Sequence, residues 1–246
     1  MAPGSSLRSS PKLSATRGVP TSLVLPSGRD VPLRVRRHAR ARRFVLRVSG
    51  GVIQLTIPTR GSAKAAAAWA ADQAVFIEEQ LRAEPVRVPF VMGAVLPILG
   101  QSVEIVPGLL RSGALCEGRL EITPAAPARL AQAVEACLRR VALDTATADL
   151  RTYWDRLDVP HAAVTVRSYQ RRWGACAARG ETAINWRLVF APREVFRYVC
   201  AHEAAHRIEM NHSAAFWAVV RQLDPTFEAQ SAWLTANGGT LSAYGS

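Results

Sequence analysis

The chain has 246 residues, 49% of them hydrophobic, and carries a formal net charge of +12 at pH 7. This length and apolar content suffice for one large domain or two smaller ones, each with a hydrophobic core. The absence of any apolar run of about eighteen residues argues against a membrane-spanning helix.

Two features bear on where the protein resides. Residues 1–22 are rich in Pro, Gly and Ser and lack the apolar segment of a secretory signal. Their arginines and serines faintly resemble an organelle transit peptide, but we interpret this stretch as a disordered tail. The four cysteines form no C-x-x-C pair, which favours a reducing, cytoplasmic location and argues against a disulfide framework.

An N-terminal β-rich subdomain is predicted for residues 23–125. The stretch FVLRVSGGVIQLTIP (44–58) has two β-rich runs around Gly50-Gly51, which predicts a hairpin. Short strands interrupted by Gly and Pro follow between residues 86 and 123.

One helix is predicted inside this subdomain. Ser62 is placed to cap it, and the sequence up to about Ala83 is rich in strong helix formers. An apolar stripe along the helix, which is typical of a core-facing side, comprises Trp69, Phe76, Ile77 and Leu81.

A basic segment, LRVRRHARARRF (33–44), contains six arginines and no acidic residue. One interpretation is a solvated strand pair whose outer face is arginine. The other is a strip that associates with nucleic-acid phosphates through Arg36, Arg37, Arg40, Arg42 and Arg43. No aromatic residue alternates with these arginines to stack on bases, which favours the first interpretation.

A C-terminal domain is predicted for residues 126–246, after a change in composition at 124–127. It opens with a long helical stretch that continues to Leu157. Residues 163–169 and 182–190 have the composition of strands, and the glycine-containing loop between them predicts that they pair as a hairpin.

A further helix is predicted to begin at Pro192, with Glu194 in its first turn, where an acid suits the helix dipole. Val195 and Val199 lie on one face of this helix, and His202 and His206 continue the same face. The core-facing stripe therefore becomes a histidine stripe. The plainer alternative is a helix with two histidines whose hydrogen bonds are satisfied within the fold.

These histidines belong to the sequence His202-Glu203-x-x-His206. Imidazoles four residues apart on a helix can both approach one zinc ion, while Glu203 points elsewhere and can act as a general base toward water. His212 is the natural third ligand only if the helix ends near Asn211, a residue that tolerates the left-handed conformation. Ser213 can then cap a new helix.

The segment RRWGACAARGETAINWRLVFAPREVFRYVCAHEAAHRIEMNHSAAFWAVV resembles the YgjP-like metal-dependent hydrolases, which are related to SprT-type zinc peptidases. The shared pattern is R-W-G-[SA]-C, then N-W-R-L, H-E-[LA]-x-H and N-H-S-x-x-F-W, and it covers residues 167–220 closely. Upstream, the resemblance is looser. The third histidine has the metzincin spacing, but Glu209 stands where metzincins have a glycine.

This resemblance implies an α+β fold in which the β-rich subdomain precedes a zincin-like, gluzincin-type core with the H-E-x-x-H helix. It implies Zn²⁺ at His202, His206 and His212, with Glu203 catalytic, and extended substrate along the edge of strand 182–190. Ala204 replaces the usual larger apolar residue, which predicts looser local packing. Further candidates for substrate contact are Tyr169, Arg171, Arg172, Trp173 and Asn185.

Cys176 lies within the R-W-G-A-C motif and raises two possibilities. It either ligates or gates the metal, or it is a buried packing residue, which is the interpretation we prefer. Trp173 and Trp186 are expected in the core or in the wall of the site.

Three functions remain open at this stage. The first is a zinc metallopeptidase acting on peptides or proteins. The second is a metal-dependent hydrolase of a nucleotide phosphoanhydride, which the many arginines would suit, although no Gly-rich phosphate loop is present. The third is a nucleic-acid-associated protein anchored by the basic segment.

Overall fold

The structure is a computed structural model that describes residues 20–83, 85–110 and 113–245. Two compact units meet in sequence at Glu84 and Pro85, and each unit has its own hydrophobic core. Residues 1–19 of the predicted tail lie outside the described part of the chain. The first strand begins at Ser22, within the range predicted as tail.

The N-terminal unit, residues 20–83, contains one four-stranded sheet. Its strands are β1 (Ser22–Val24), β2 (Asp30–Arg37), β3 (Val45–Ser49) and β4 (Val52–Ile57), in the spatial order β1-β2-β4-β3. β3 and β4 form the predicted hairpin, with Ser49 opposite Val52. β2 runs parallel to β4, so the chain crosses the end of the sheet between β2 and β3.

Two helices, α1 (Ala63–Ala71) and α2 (Ala74–Ala83), cover one face of this sheet. The Ser62 hydroxyl accepts a hydrogen bond from the Ala65 amide, as the predicted cap requires. The prediction of one continuous helix was wrong, because α1 ends at Asp72, a poor residue for a helix interior. Ile77 and Leu81 of the predicted stripe are buried, whereas Phe76 is exposed.

The C-terminal unit begins with a second four-stranded sheet. Its strands are β5 (Val95–Ile98), β6 (Gln101–Pro107), β7 (Ala114–Cys116) and β8 (Arg119–Ile122), in the order β5-β6-β8-β7. The long predicted helix is present as α3 (Pro127–Arg156), with proline in its first turn. The apolar side chains of this sheet share one core with α3. The two compact units therefore divide at residue 84, whereas the change in composition at 124–127 predicted a boundary at residue 125.

A three-stranded sheet follows α3. It consists of β9 (Val164–Arg167), β10 (Gly174–Cys176) and β11 (Thr182–Asn185), in the order β10-β11-β9. The prediction that the first and last of these form a hairpin was wrong, because β9 and β11 are parallel and the hairpin is β10–β11.

The predicted strand 182–190 is also shorter than expected. It ends at Asn185, whose side chain accepts a hydrogen bond from the Arg187 amide and starts a 3₁₀ helix, Trp186–Phe190. β11 is the central strand of its sheet, so the implied substrate edge on this strand was wrong. The open edge beside the histidines belongs to β10.

Three helices complete the unit: α4 (Arg193–Ala205), α5 (Ala214–Leu223) and α6 (Phe227–Asn237), with a 3₁₀ turn at Gly238–Ala243. Arg193, at the start of α4, donates two hydrogen bonds to the carboxylate of Asp149 on α3, at 2.5 and 2.6 Å. This bidentate ion pair ties α4 to the long helix. Sheets and helices together agree with the predicted α+β class. No helix among the described residues is both long and apolar enough to cross a bilayer.

Candidate metal centre

The histidine stripe lies at the end of α4. Val195 and Val199 are buried, and His202 and His206 continue the same face, half-buried. Pro192 precedes the first helical residue, one position from the predicted start. The helix ends at Ala205 with His206 as its C-cap, well before the predicted end near Asn211.

A turn stabilised by several hydrogen bonds explains this early end. The amides of Ile208 and Glu209 both donate to the Ala205 carbonyl, which closes the last turn of α4. The Glu209 carbonyl also lies 3.0 Å from His206 Nδ1. Asn211 tolerates the left-handed conformation but does not adopt it here, since its φ is not positive.

Asn211 and Ser213 redirect the chain after this turn. The Asn211 side chain accepts a hydrogen bond from the Ser213 amide. Ser213 in turn caps α5, as predicted, by accepting a hydrogen bond from the Phe216 amide at 3.3 Å. The result is that His212 lies 3.1 Å from His202, measured between the two Nε2 atoms. Ring nitrogens of His202, His206 and His212 all lie within 4.8 Å of one another.

A buried phenylalanine supports the three imidazoles from below. The ring centroid of Phe216 is 4.9, 4.6 and 4.7 Å from those of His202, His206 and His212, respectively. Trp217 contacts two of the same rings. Sequence reasoning assigned Phe216 no role, although its position three residues after the Ser213 cap places it under the site.

The donor chemistry fits a metal ion such as zinc. Two nitrogen ligands of a tetrahedral zinc are about 3.3 Å apart, given bond lengths near 2.05 Å, and the His202–His212 separation is 3.1 Å. His206 donates its Nδ1 proton to the Glu209 carbonyl, which leaves the Nε2 lone pair available. Burial, reinforced by the other two histidines, lowers the pKa of His202 to about 4, so this imidazole is neutral at pH 7.

Glu203 lies beside the cluster with its carboxyl group almost fully buried, at 5% residue exposure. This burial raises the pKa of Glu203 to about 7, against the opposing effect of the Arg172 charge. Its carboxylate packs directly on the backbone of Gly174 in β10. A β-carbon at Gly174 would overlap Glu203 Oε1, so no residue with a side chain fits there without moving the carboxylate.

A cleft of about 450 Å³ opens over the histidines and Glu203. β10 forms one wall. The other residues in the lining, besides the three histidines and Glu203, are Arg172, Trp173, Tyr198, Val199, Met210 and Leu234. Among the predicted substrate contacts, two therefore border the cleft, namely Arg172 and Trp173. The described residues that line the cleft do not include Tyr169 or Arg171.

Asn185 occupies a different place from the one that the sequence suggested. It is buried, and its amide group donates hydrogen bonds to the carbonyls of Tyr169 and Arg172. This side chain therefore holds the segment that leads into β10. Trp186, next in sequence, was expected either in the core or in the wall of the site. It is fully buried in the core.

Cys176 lies in the lining of the cleft at the end of β10 and is partly exposed. Its thiol contacts the Ala177 carbonyl, and burial raises its pKa. It does not join the histidine cluster among the described residues. Cys176 was expected to be a buried packing residue. It is only partly buried, because one side of the residue faces the cleft.

Two comparisons with known proteins bear on the family of the chain. A search of curated proteins finds no significant match. The family model described as YgjP-like, metallopeptidase domain, matches residues 42–237, which include β10, α4 and all three clustered histidines. Because this match spans most of the sequence, the chain belongs to the YgjP-like family of metallopeptidase domains.

Proposed function

We propose that the chain is a zinc-dependent metallopeptidase in which His202, His206 and His212 hold the metal and Glu203 is the general base. The observation that carries this proposal is the convergence of three imidazole nitrogens beside one buried carboxyl group. Family membership supports a metal-dependent hydrolase. A zincin-like, gluzincin-type core is part of the same proposal.

Zinc held by these residues would act as a Lewis acid toward the scissile carbonyl and the attacking water. Glu203 accepts a proton at a carboxylate oxygen as the water oxygen bonds to the carbonyl carbon. When the C–N bond breaks, the same carboxyl group returns the proton to the leaving nitrogen. Glu203 is thereby restored to its starting state for the next turnover.

The cleft suits a peptide substrate in two respects. β10 is an edge strand, so its free main-chain groups can pair with an extended peptide. The wall formed by Trp173, Tyr198, Val199 and Leu234 is largely apolar and can accept a hydrophobic side chain next to the scissile bond.

A nucleotide phosphoanhydride is the second candidate substrate, and the cleft favours it less. Among the described residues that line the cleft, Arg172 alone carries a guanidinium or ammonium group. That guanidinium lies over the ring of Tyr169, 4.3 Å from its centroid. Several cations normally surround a polyphosphate.

The zinc content of purified variants tests the metal site. Wild-type protein is expected to retain about one zinc per chain after dialysis. His206→Ala is expected to lose it, because two imidazoles remain. The matched control is His38→Ala, which removes an exposed histidine of the other compact unit and is expected to keep the metal. Equal zinc in both variants would contradict the proposed ligand set.

Hydrolysis assays separate the two substrate classes. Wild-type protein is expected to cleave members of a mixed-sequence fluorogenic peptide library. Release of inorganic phosphate from nucleoside triphosphates, without peptide cleavage, would instead favour the second candidate.

Gly174→Ala is expected to lower peptide hydrolysis about 100-fold while the zinc content stays at the wild-type level. The new methyl group overlaps the Glu203 carboxylate, and a displacement of about 1 Å in a catalytic group typically costs this much. The control is Gly239→Ala, since a β-carbon at Gly239 meets no atom within 4 Å. Full activity in Gly174→Ala would show that the carboxylate need not lie against β10.

A cytoplasmic location is part of this proposal. All four cysteines are unpaired, as expected in a reducing compartment. Burial raises the pKa of the thiols of Cys137, Cys176 and Cys200, so these groups stay protonated and weakly reactive at neutral pH.

A further inference from the structure

The positive charge of the protein is concentrated in its smaller unit. Residues 20–83 contain eleven Lys and Arg against four Asp and Glu, a net charge of +7. The described residues of the larger unit contain sixteen Lys and Arg against fourteen Asp and Glu, a net charge of +2. A composition bias toward arginine across the whole chain does not explain this difference, because it would act on both units.

The sheet of the small unit presents arginines on its outer face. Side chains alternate along β2, so that Val31 and Leu33 are buried while Arg34 and Arg36 are exposed. The register places Arg34 beside Gln54 of β4, and Gln54 beside Arg47 of β3. Arg34, Arg36 and Arg47 therefore share one face of the sheet, here called the arginine face.

Acidic groups are nearly absent from this face. The helices α1 and α2 cover the opposite side of the sheet, and they carry Glu78 and Glu79, with Asp72 at the end of α1. Asp30 is the only acid in strands β1 to β4, and it lies at the far end of β2 from Arg36. Arg34, Arg36 and Arg47 have no hydrogen-bond or ion-pair partner among the residues that the structure describes.

The connection between β2 and β3 extends the arginine face. Arg40, Arg42 and Arg43 are exposed on this connection, which crosses the end of the sheet next to Arg36. Arg37 differs, because its guanidinium donates hydrogen bonds to the carbonyls of Pro58, Thr59 and Gly61. Of the arginines in the basic segment, Arg37 is therefore engaged in holding its own fold together.

We propose that the arginine face binds the phosphate backbone of duplex nucleic acid without reading its sequence. Arg34 and Arg36 are about 6.6 Å apart along β2, and Arg47 lies two strand spacings, about 9.6 Å, away. Guanidinium groups at such spacings can contact several phosphates at once. Strands β2, β3 and β4 place no aromatic side chain on this face for stacking on exposed bases, so a double helix fits it better than a single strand.

Fluorescence anisotropy of full-length protein with a labelled DNA duplex of about 24 base pairs tests this proposal. The variant is the triple substitution Arg34→Gln, Arg36→Gln and Arg47→Gln. Each phosphate contact contributes about 0.9 to the slope of log affinity against log salt, so the variant should lose about 2.7 from that slope. Its affinity at low salt should fall at least about 10-fold.

The control is a second triple variant, Arg129→Gln, Arg151→Gln and Arg179→Gln, which removes equal charge from exposed positions of the larger unit. It is expected to bind within about twofold of wild type. Should the first triple variant not fold, the three single variants are each expected to lower the slope by about 0.9.

Three outcomes would overturn the proposal: equal loss of binding in both triple variants, tighter binding to single-stranded than to duplex DNA, or equal binding to phosphatidylserine vesicles. Zinc content and peptide hydrolysis are measured separately and do not enter this test.

Discussion

Replacing Glu203 with glutamine is expected to lower kcat for peptide hydrolysis by about 10²–10⁴-fold while zinc binding is retained. Glutamine keeps the shape of the side chain and its packing on Gly174. It cannot accept a proton from water at neutral pH. The variant therefore separates proton transfer from metal binding, which we assign to the three histidines.

Steady-state kinetics and zinc analysis on the same preparations check this expectation. Glu194→Gln is the matched control, because Glu194 is exposed in the first turn of the same helix and far from the cluster along the chain. Its kcat should equal that of wild type. A Glu203→Gln enzyme with normal turnover would refute the role of Glu203 as general base, whatever its zinc content.

Replacing Asp149 with alanine is expected to lower the free energy of unfolding by about 3 kcal/mol. The Asp149 side chain is 10% exposed and receives both hydrogen bonds of the Arg193 fork. Removal of Asp149 leaves the Arg193 charge unpaired in a partly buried place. Breaking a fully buried pair in this way costs about 3–5 kcal/mol. The lower end applies because the Arg193 side chain is 35% exposed.

Urea unfolding followed by tryptophan fluorescence measures this change. Asp144→Ala is the control, since Asp144 lies on the same helix with its side chain exposed, and a shift within about 0.5 kcal/mol is expected. An unfolding midpoint of Asp149→Ala equal to that of the control would contradict the importance of the ion pair between α3 and α4.

Local sequence signals predicted that the three histidines cluster. The i, i+4 spacing of His202 and His206 and their continuity with Val195 and Val199 identified the face of α4 that bears the cluster. The Ser213 cap was also predictable, because a capping hydroxyl accepts a hydrogen bond from the backbone amide three residues later in the sequence. Such signals lie within one or two helical turns.

Features that depend on distant pairing were not predictable in this way. The order β10-β11-β9 places strands together that the chain visits in another order, so the expected hairpin was wrong. The contact between Gly174 and Glu203 joins two elements that are remote in sequence. The early end of α4 is local, but it coincides with a side-chain bond from His206 to the Glu209 carbonyl, which no helix propensity reveals.

The early end of α4 has an electrostatic consequence for the three histidines. A helix carries a partial negative charge of about half an elementary unit at its carboxyl end, and the effect fades within one turn. His202 lies in the last turn of α4 and His206 caps it, so this negative pole lies beside the cluster. Continuation of the helix to Asn211 would have moved the pole about 9 Å away. The backbone itself thus favours a cation among the three imidazoles, by about 0.3–1 kcal/mol for each unit of charge.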